Sequence, residues 1–160
     1  MSAPQFPDTA PLGQAREWLR QHAVGKGAAC PCCQQRAQVY HRGIHAGMAR
    51  ALVVMYREHG TEWQNKTVTL RGLGSGARDE SLLRYWGLLE EDQRPREDGG
   101  RAGWWRVTPL GRAFVLGEAT VPKYARVYDG RCLGLDGEAV SIVQCLGKRF
   151  NLLALLEGRA

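Results

Sequence analysis

The chain has 160 residues, of which 44% are hydrophobic and 24% charged, and its formal net charge at pH 7 is +6. This composition fits a globular protein with one domain, or one domain with a small appendage, and the positive charge permits a nucleic-acid partner without requiring one. No run of about 18 apolar residues predicts a membrane helix, and the first residues lack a secretory signal, so we expect a cytoplasmic protein.

The N-terminal part is predicted to contain a helix followed by a cysteine-containing turn. Residues 1–8 are polar and rich in proline, which favours disorder. Asp8 or Thr9 is suited to cap a helix, and apolar residues recur at helical spacing from Leu12 onward. The segment 9–45 is therefore predicted to form an N-terminal helix and a cysteine knuckle.

Residues 46–118 begin with helical signals. Apolar residues of the segment 48–56 fall on one helical face, and Gly60 is a natural stop. The glycine-rich segment 61–77 is compatible with either a short strand or a short irregular helix. A second helix is then predicted to begin near Asp79.

The second half of this region combines strand signals with a polar loop. Gly87 should end the helix just before Leu88 and Leu89 begin a strand. The loop 92–103 is too charged to be buried, and the sequence WWRV after it is predicted to be the returning strand. Thr108 followed by proline marks the start of a further helix.

Residues 119–160 show the pattern of short antiparallel strands. Asp-Gly pairs between strand-like runs are strong hairpin signals, and a short helix is predicted to close the chain. We therefore predict a three-stranded meander with strands 124–128, 131–135 and 139–145, joined by turns at Asp129-Gly130 and Asp136-Gly137.

Two stretches of the central region resemble the winged helix-turn-helix fold. LLRYWGLLEED is similar to the end of a second helix running into the first wing strand, and GWWRVTPLGRAFV is similar to the second wing strand followed by a helix. The resemblance implies an α+β protein: a winged helix-turn-helix core with an N-terminal helix and Cys knuckle and a C-terminal antiparallel β-meander.

The chain also resembles a loose group of small phage and prophage proteins. The shared features are an AREWL helix, a cysteine turn written here GAACPCC, a MARAL helix and the sequence YWGL before the wing. We associate no established activity with this group. The resemblance implies a mobile-element origin and the fold, and it supplies no mechanism.

A winged helix-turn-helix implies DNA binding through its second helix and its wing. The candidate DNA-binding residues are Arg71, Arg78, Arg84, Arg94, Arg96 and Arg101. Acidic residues oppose this function, because the second helix begins with Asp79 and Glu80 and the wing carries Glu97 and Asp98. Carboxylates in a DNA groove are repelled by phosphate unless they accept a hydrogen bond from cytosine.

The cysteine turn is a candidate metal site. Zinc takes four nitrogen or sulfur ligands, and Cys30-x-x-Cys33 is a usual two-ligand turn, which His41 and His45 would complete. Two alternatives stay open. In the first, Cys132 or Cys145 takes the place of a histidine as a zinc ligand. In the second, the cysteines pack as small apolar groups and bind no metal. The only cofactor that the sequence suggests is therefore one structural zinc ion.

The sequence holds no catalytic pattern, because it lacks a nucleophile beside a base, paired carboxylates and a His-Glu-x-x-His motif. We predict that the protein is not an enzyme and that most of its tryptophans are core residues rather than base-stacking platforms. The leading hypothesis is a DNA-binding regulator or accessory factor, with a homodimer as one possible form. The alternative is an adaptor or inhibitor that binds a host or phage protein.

Overall fold

The computed structural model describes residues 6–77, 79–94, 97 and 103–159. Several sequence predictions fall on other residues and lie outside this description. They are the predicted disorder of residues 1–5, three of the candidate DNA-binding residues (Arg78, Arg96 and Arg101), the acidic Asp98, and most of the tip of the predicted wing.

Helices and strands are interspersed along the described chain. The α-helices are α1 (Leu12–His22), α2 (Ala46–His59), α3 (Lys66–Thr69), α4 (Pro109–Val115), α5 (Ile142–Leu146) and α6 (Leu152–Leu156). Two 3₁₀ segments, η1 (Arg71–Ala77) and η2 (Glu80–Trp86), follow α3. The strands are β1 (Ala28–Ala29), β2 (Arg36–Ala37), β3 (Tyr40–Gly43), β4 (Gln64–Asn65), β5 (Leu89–Glu91), β6 (Trp104–Val107), β7 (Val121–Tyr128) and β8 (Arg131–Val140).

The strands form three small sheets, and the predicted α+β class is confirmed. The first sheet consists of β1 and β2. The second has the strand order β3-β7-β8, and the third has the order β4-β6-β5.

The chain divides into two compact units. The first contains residues up to Arg42 together with Ala125–Gly134, and the second contains Gly43–Tyr124 and the residues from Leu135 onward.

The first unit contains helix α1 and the β1–β2 hairpin. Helix α1 begins later than predicted: its N-cap is Pro11, which makes no side-chain cap, rather than Asp8 or Thr9. Its one buried residue is Ala15, while Trp18 stacks on His22 one turn later with ring centroids 4.2 Å apart. The predicted helix is therefore present, although it buries only a narrow stripe.

Helix α2 is the centre of the second unit. The ring Nδ1 of His45 accepts hydrogen bonds from the first backbone N–H groups of α2, at Gly47 and Met48, and Gly60 ends the helix as predicted. Small and aliphatic residues from Gly47 to Met55 are almost all buried. This helix contacts α3, α4, α5, α6, η1, η2 and β6, so it organises the unit's hydrophobic core.

The segment η2 packs one face against α2. Leu83 is fully buried and Trp86 is 3% exposed, while Leu82 is only half-buried. The indole Nε1 of Trp86 donates a hydrogen bond of 2.8 Å to the carbonyl oxygen of Pro122. Gly87 ends η2 in the left-handed conformation, with φ at 72°.

In the sheet β4-β6-β5, the sequence WWRV forms β6, and its side chains alternate between buried and half-exposed positions. Trp105 and Val107 are buried, whereas Trp104 and Arg106 are half-exposed on the opposite face. Thr108 then caps α4, as predicted, by accepting a hydrogen bond from Gly111 N–H. The Gly111 Cα lies so close to the backbone just before β5 that an added Cβ would stand 2.2 Å from the carbonyl oxygen of Leu88.

The predicted C-terminal meander is wrong in its second half. Asp129-Gly130 does turn the chain between β7 and β8, but Asp136-Gly137 lies within β8, and 142–146 is helical rather than a third strand. Ser141 and Gln144 form a capping box that starts helix α5. Position 137 favours glycine because there is no room for a side chain, and not because the chain turns there. A Cβ at this position would lie 2.9 Å from the Tyr124 ring.

Membrane-spanning geometry is not found among the helices of the described residues: none combines the length and the apolar character that crossing a bilayer requires.

Candidate nucleic-acid interface

An open depression lies where η2, β5 and the start of the following loop meet, and we call it the wing-root depression. Aromatic, arginine and carboxylate side chains dominate its lining, which consists of Trp63, Arg84, Tyr85, Leu89, Glu90, Glu91, Asp92, Gln93 and Arg94. All of these residues belong to the second unit. Two candidate DNA-binding arginines, Arg84 and Arg94, are thus brought together here.

Each arginine at this surface has a carboxylate neighbour. The Nη2 of Arg94 lies 2.6 Å from Asp92 Oδ2, and this hydrogen bond raises the pKa of the Arg94 guanidinium. The Nη1 of Arg84 lies 3.8 Å from Glu91 Oε2, which is a loose contact. The side chains of Arg84 and Arg94 remain 42% and 76% exposed, so both face solvent while paired.

A third arginine, which the sequence did not single out, joins the same surface. Arg106 lies directly opposite Glu90 in the β5–β6 register, and its Nη2 is 2.8 Å from Glu90 Oε2. Residues directly opposite across antiparallel strands are close enough to form such pairs. The WWRV alternation could have indicated the exposure of Arg106, but its partner depends on a strand register that the sequence does not give.

Trp63 provides an aromatic face between two of these arginines. The guanidinium carbon of Arg106 is 4.7 Å from the Trp63 ring centroid, and that of Arg94 is 5.9 Å away. Both distances fall within the range of cation–π attraction. Arg84 lies over the Tyr85 ring at 5.2 Å in the same way. The surface is therefore an array of aromatic rings and arginines with locally balanced charge.

Arg71, the remaining described candidate, does not line this depression. It is exposed at the start of η1, a segment that Gly74 interrupts with non-helical angles (φ 66°, ψ −157°). Thr67 and Val68 of α3 are also exposed, Val68 by 58%. Of these three exposed residues, only Arg71 is charged.

Glu80, one of the acidic residues that opposed DNA binding, points into the core. Its residue exposure is 6%, and its Oε1 lies 2.5 Å from the Nζ of Lys66. The Lys66 ammonium in turn lies 4.9 Å from the centroid of the Trp105 ring. The carboxylate is therefore neutralised inside the protein, and it does not present a negative charge to a ligand at the surface.

Asp79 differs from Glu80 because it stays exposed. Its Oδ2 lies 3.4 Å from the Nε2 of His45. Since the Nδ1 of His45 caps helix α2, both ring nitrogens of this predicted metal ligand have partners in the second unit. His45 thus holds the start of α2 in place.

The cysteine knuckle is a tight turn at the end of the β1–β2 hairpin. Hydrogen bonds from the backbone N–H groups of Cys33 and then Cys32 lower the pKa of the Cys30 thiol, whereas burial and the charge of Cys30 raise the pKa of Cys32. His41 is exposed on β3. Within the described parts of the chain, no three His, Cys, Asp or Glu residues are grouped closely enough to hold a metal ion.

Burial raises the pKa of Cys145 to about 11, which removes it further from the thiolate form that metals bind. Cys132 donates a weak hydrogen bond to the carbonyl oxygen of Gly134, 3.6 Å away. The structure therefore brings Cys30 and Cys33 together in one turn, and it gives the other proposed ligands separate contacts.

Comparison of the chain with protein-family models, with curated proteins and with solved structures finds no match.

Proposed function

We propose that the protein is a phage-type winged-helix protein that binds duplex DNA, as a regulator or accessory factor, through the wing-root depression. The observation that carries the proposal is the order of elements in the second unit. Helix α2, strand β4, the helical segments α3 to η2, strand β5, a loop and strand β6 follow one another, and the sheet order is β4-β6-β5. This order supports a winged helix-turn-helix, and the proposal assigns DNA contact to η2.

The positions of the charges support this proposal. In a winged helix the DNA lies against the second helix and the wing, which here contribute the exposed Arg84 and Arg94. The nearby Glu80 is buried against Lys66, so it adds no repulsion. Exposed ion pairs are worth only about 0–1 kcal/mol, so phosphate can replace Glu91 beside Arg84 at low cost.

Protein binding is the second candidate, and the balance of charges favours it. Arg84, Arg94 and Arg106 each have a carboxylate partner, so the depression has no excess positive charge of its own. Tryptophan, tyrosine and arginine are also the residue types that dominate binding energy at protein interfaces. An adaptor or inhibitor would use Trp63 and Tyr85 as its contacts.

A salt titration of binding to random-sequence duplex DNA tests the first proposal. Fluorescence anisotropy should show affinity that falls steeply with salt, because bound phosphates release counterions. The double variant Arg84→Ala/Arg94→Ala should bind more weakly and lose about one unit of slope for each lost phosphate contact. A matched control, Arg131→Ala/Lys148→Ala, removes two exposed positive charges elsewhere and should keep both affinity and slope.

The opposite change makes the test sharper. Glu91→Gln/Asp92→Asn removes the two carboxylates and leaves the arginines in place, so it should strengthen DNA binding. Equal affinity and slope for the wild type, the arginine variant and the amide variant would remove the depression from DNA binding. The protein-binding proposal would then lead, with Trp63→Ala as the variant expected to weaken capture of the partner.

A further inference from the structure

Two arginines lie over one aromatic ring in a part of the second unit that the proposed function does not use. Arg50 belongs to α2, and Arg149 and Phe150 belong to the connection between α5 and α6. The guanidinium carbon of Arg50 is 4.9 Å from the centroid of the Phe150 ring, and that of Arg149 is 5.4 Å from it. Both distances allow cation–π attraction. We call these three residues the Phe150 cluster.

This cluster differs from the similar arrangement at Trp63 in its charge balance. At Trp63, the carboxylates of Asp92 and Glu90 pair with the two arginines. In the described parts of the chain, neither Arg50 nor Arg149 forms an ion pair with a carboxylate. Two positive charges held near one ring repel each other, and an anion bound by both offsets that repulsion. The cluster therefore attracts an anion from outside the chain.

The surroundings of Arg50 define how an anion can reach it. Helix α2 packs against both α5 and α6, which brings Arg50 beside the connection between these two helices. Arg50 is half-buried, and its Nε is buried without a hydrogen-bond partner among the described residues. Because the protein covers Nε, an anion has to approach the two terminal nitrogens. This edge of a guanidinium can donate two parallel hydrogen bonds to one oxyanion.

The charge of the cluster favours one class of oxyanion. A carboxylate or a phosphodiester carries one negative charge, whereas a phosphate monoester carries about 1.5 to 2 at pH 7 and has three strong acceptor oxygens. A phosphate monoester therefore matches the charge of two guanidiniums. Arg149 is exposed, so its long side chain can adjust toward a phosphate group that Arg50 already holds.

We propose that Arg50 and Arg149 bind a phosphate monoester. Arg50 donates through its terminal nitrogens, Arg149 supplies the second guanidinium, and the Phe150 ring keeps both positive charges in place. The phosphate group belongs either to a small soluble molecule or to a phosphorylated side chain of another protein, which arginine clusters also recognise. The site involves none of the residues of the wing-root depression, and it does not depend on DNA binding.

Nuclear magnetic resonance of the full chain tests the proposal with two probes, inorganic phosphate and a short phosphoserine peptide. Ionic strength is held constant with chloride, and the unphosphorylated peptide is the control probe. The backbone amide signals of residues 148–151 should shift and saturate with a phosphorylated probe. Arg149→Ala should weaken this binding roughly tenfold or more, because it removes charge-assisted hydrogen bonds. Arg131→Ala, which removes an exposed charge elsewhere, should bind as the wild type does.

Thermal unfolding provides a second readout. A ligand that binds only the folded state raises the melting temperature, so phosphate should stabilise the wild type and Arg131→Ala more than it stabilises Arg149→Ala. General salt effects of phosphate act on all three proteins alike. Arg50→Lys keeps the charge but loses the paired donors, so it should also reduce the response.

The outcomes identify the source of the phosphate group. Saturation by inorganic phosphate would assign the site to a small soluble ligand, and saturation by the phosphoserine peptide alone would assign it to a phosphorylated protein. The double variant Arg84→Ala/Arg94→Ala should keep the phosphate response whether or not the protein binds DNA. No saturable shift with either probe, or the same response in Arg149→Ala and Arg131→Ala, would overturn the proposal.

Discussion

Glu80 and Lys66 form an ion pair that is largely buried. The Lys66 side chain is 17% exposed and that of Glu80 is 8% exposed, and the second carboxylate oxygen of Glu80 has no hydrogen-bond partner among the described residues. Removing one member of such a pair leaves a buried charge without its counter-charge, which is strongly unfavourable. The pair links α3 to η2 and so affects how these two segments meet.

We predict that Glu80→Ala lowers the free energy of unfolding by roughly 3 kcal/mol, at the lower end of the range for broken buried pairs. The loss is limited because the Lys66 stem can move its ammonium toward solvent. Urea denaturation provides the measurement. The control is Glu90→Ala, which breaks the exposed pair with Arg106 and should cost less than about 1 kcal/mol. Equal losses in the two variants would contradict a buried role for Glu80.

The cysteines of the knuckle should differ in the pH at which they react. Hydrogen bonds from Cys33 and Cys32 N–H lower the pKa of Cys30, whereas burial and the Cys30 charge raise that of Cys32. Because the thiolate is the reactive form, alkylation of Cys30 should accelerate at lower pH than that of Cys32. Cys145, with its pKa raised to about 11, should need the highest pH of the three.

Iodoacetamide labelling of metal-free protein across a pH series, with sites assigned by tandem mass spectrometry, checks this order. The same lowered pKa implies that any stabilisation from the Cys30 thiolate is present above the unfolded thiol's pKa and is lost as pH falls through the folded value. If Cys32 reacted at lower pH than Cys30, the proposed hydrogen bonds to the Cys30 sulfur would be wrong.

Among the elements, η2 combines a buried face and a charged face within seven residues. Leu83 and Trp86 pack inward, while Arg84 and the half-buried Tyr85 contribute to the wing-root depression. In a 3₁₀ helix, residues three apart lie on the same side, so Leu83 and Trp86 share a face. Packing of that face therefore sets where Arg84 is presented to a ligand.

Replacing Trp86 tests how strongly this element is held. Trp86→Ala should reduce the free energy of unfolding by about 3–5 kcal/mol, because it leaves a large cavity and removes the hydrogen bond to the Pro122 carbonyl oxygen. Trp104→Ala removes a half-buried indole from β6 and should cost less. Unfolding should be monitored by circular dichroism, because the substitution itself changes the tryptophan fluorescence. A cost below about 1 kcal/mol for Trp86→Ala would show that η2 is not anchored by this residue.

Across the chain, local signals predicted three element boundaries correctly, each of them decided by a single residue or a pair of adjacent residues. Gly60, Gly87 and the Thr108-Pro109 pair ended or began their elements as predicted, since each acts through its own backbone conformation or cap. The error in the C-terminal part has the same physical basis. Ile142 and Val143 favour a strand, but Ser141 with Gln144 starts a helix, and the cap prevailed.

The composition of the wing-root depression depends on tertiary structure and was harder to predict. Arg84 and Arg94 were identified as candidates from their positions in the sequence, yet their carboxylate partners were not. Arg106 was missed because its pairing with Glu90 follows from the register of two strands separated by a long loop. Likewise, the inward orientation of Glu80 follows from the packing of η2, which the acidic sequence around it does not reveal.

The contact between α4 and the backbone at Leu88 restricts which sequences can adopt this fold. A Cβ at Gly111 would lie 2.2 Å from the Leu88 carbonyl oxygen and 2.8 Å from the Val107 side chain, and a backbone atom cannot move aside as a flexible side chain can. Almost no substitution should therefore be tolerated at position 111, although α4 is short and partly exposed. In a library selected for folded protein, position 111 would keep glycine while the exposed neighbour Leu110 would vary.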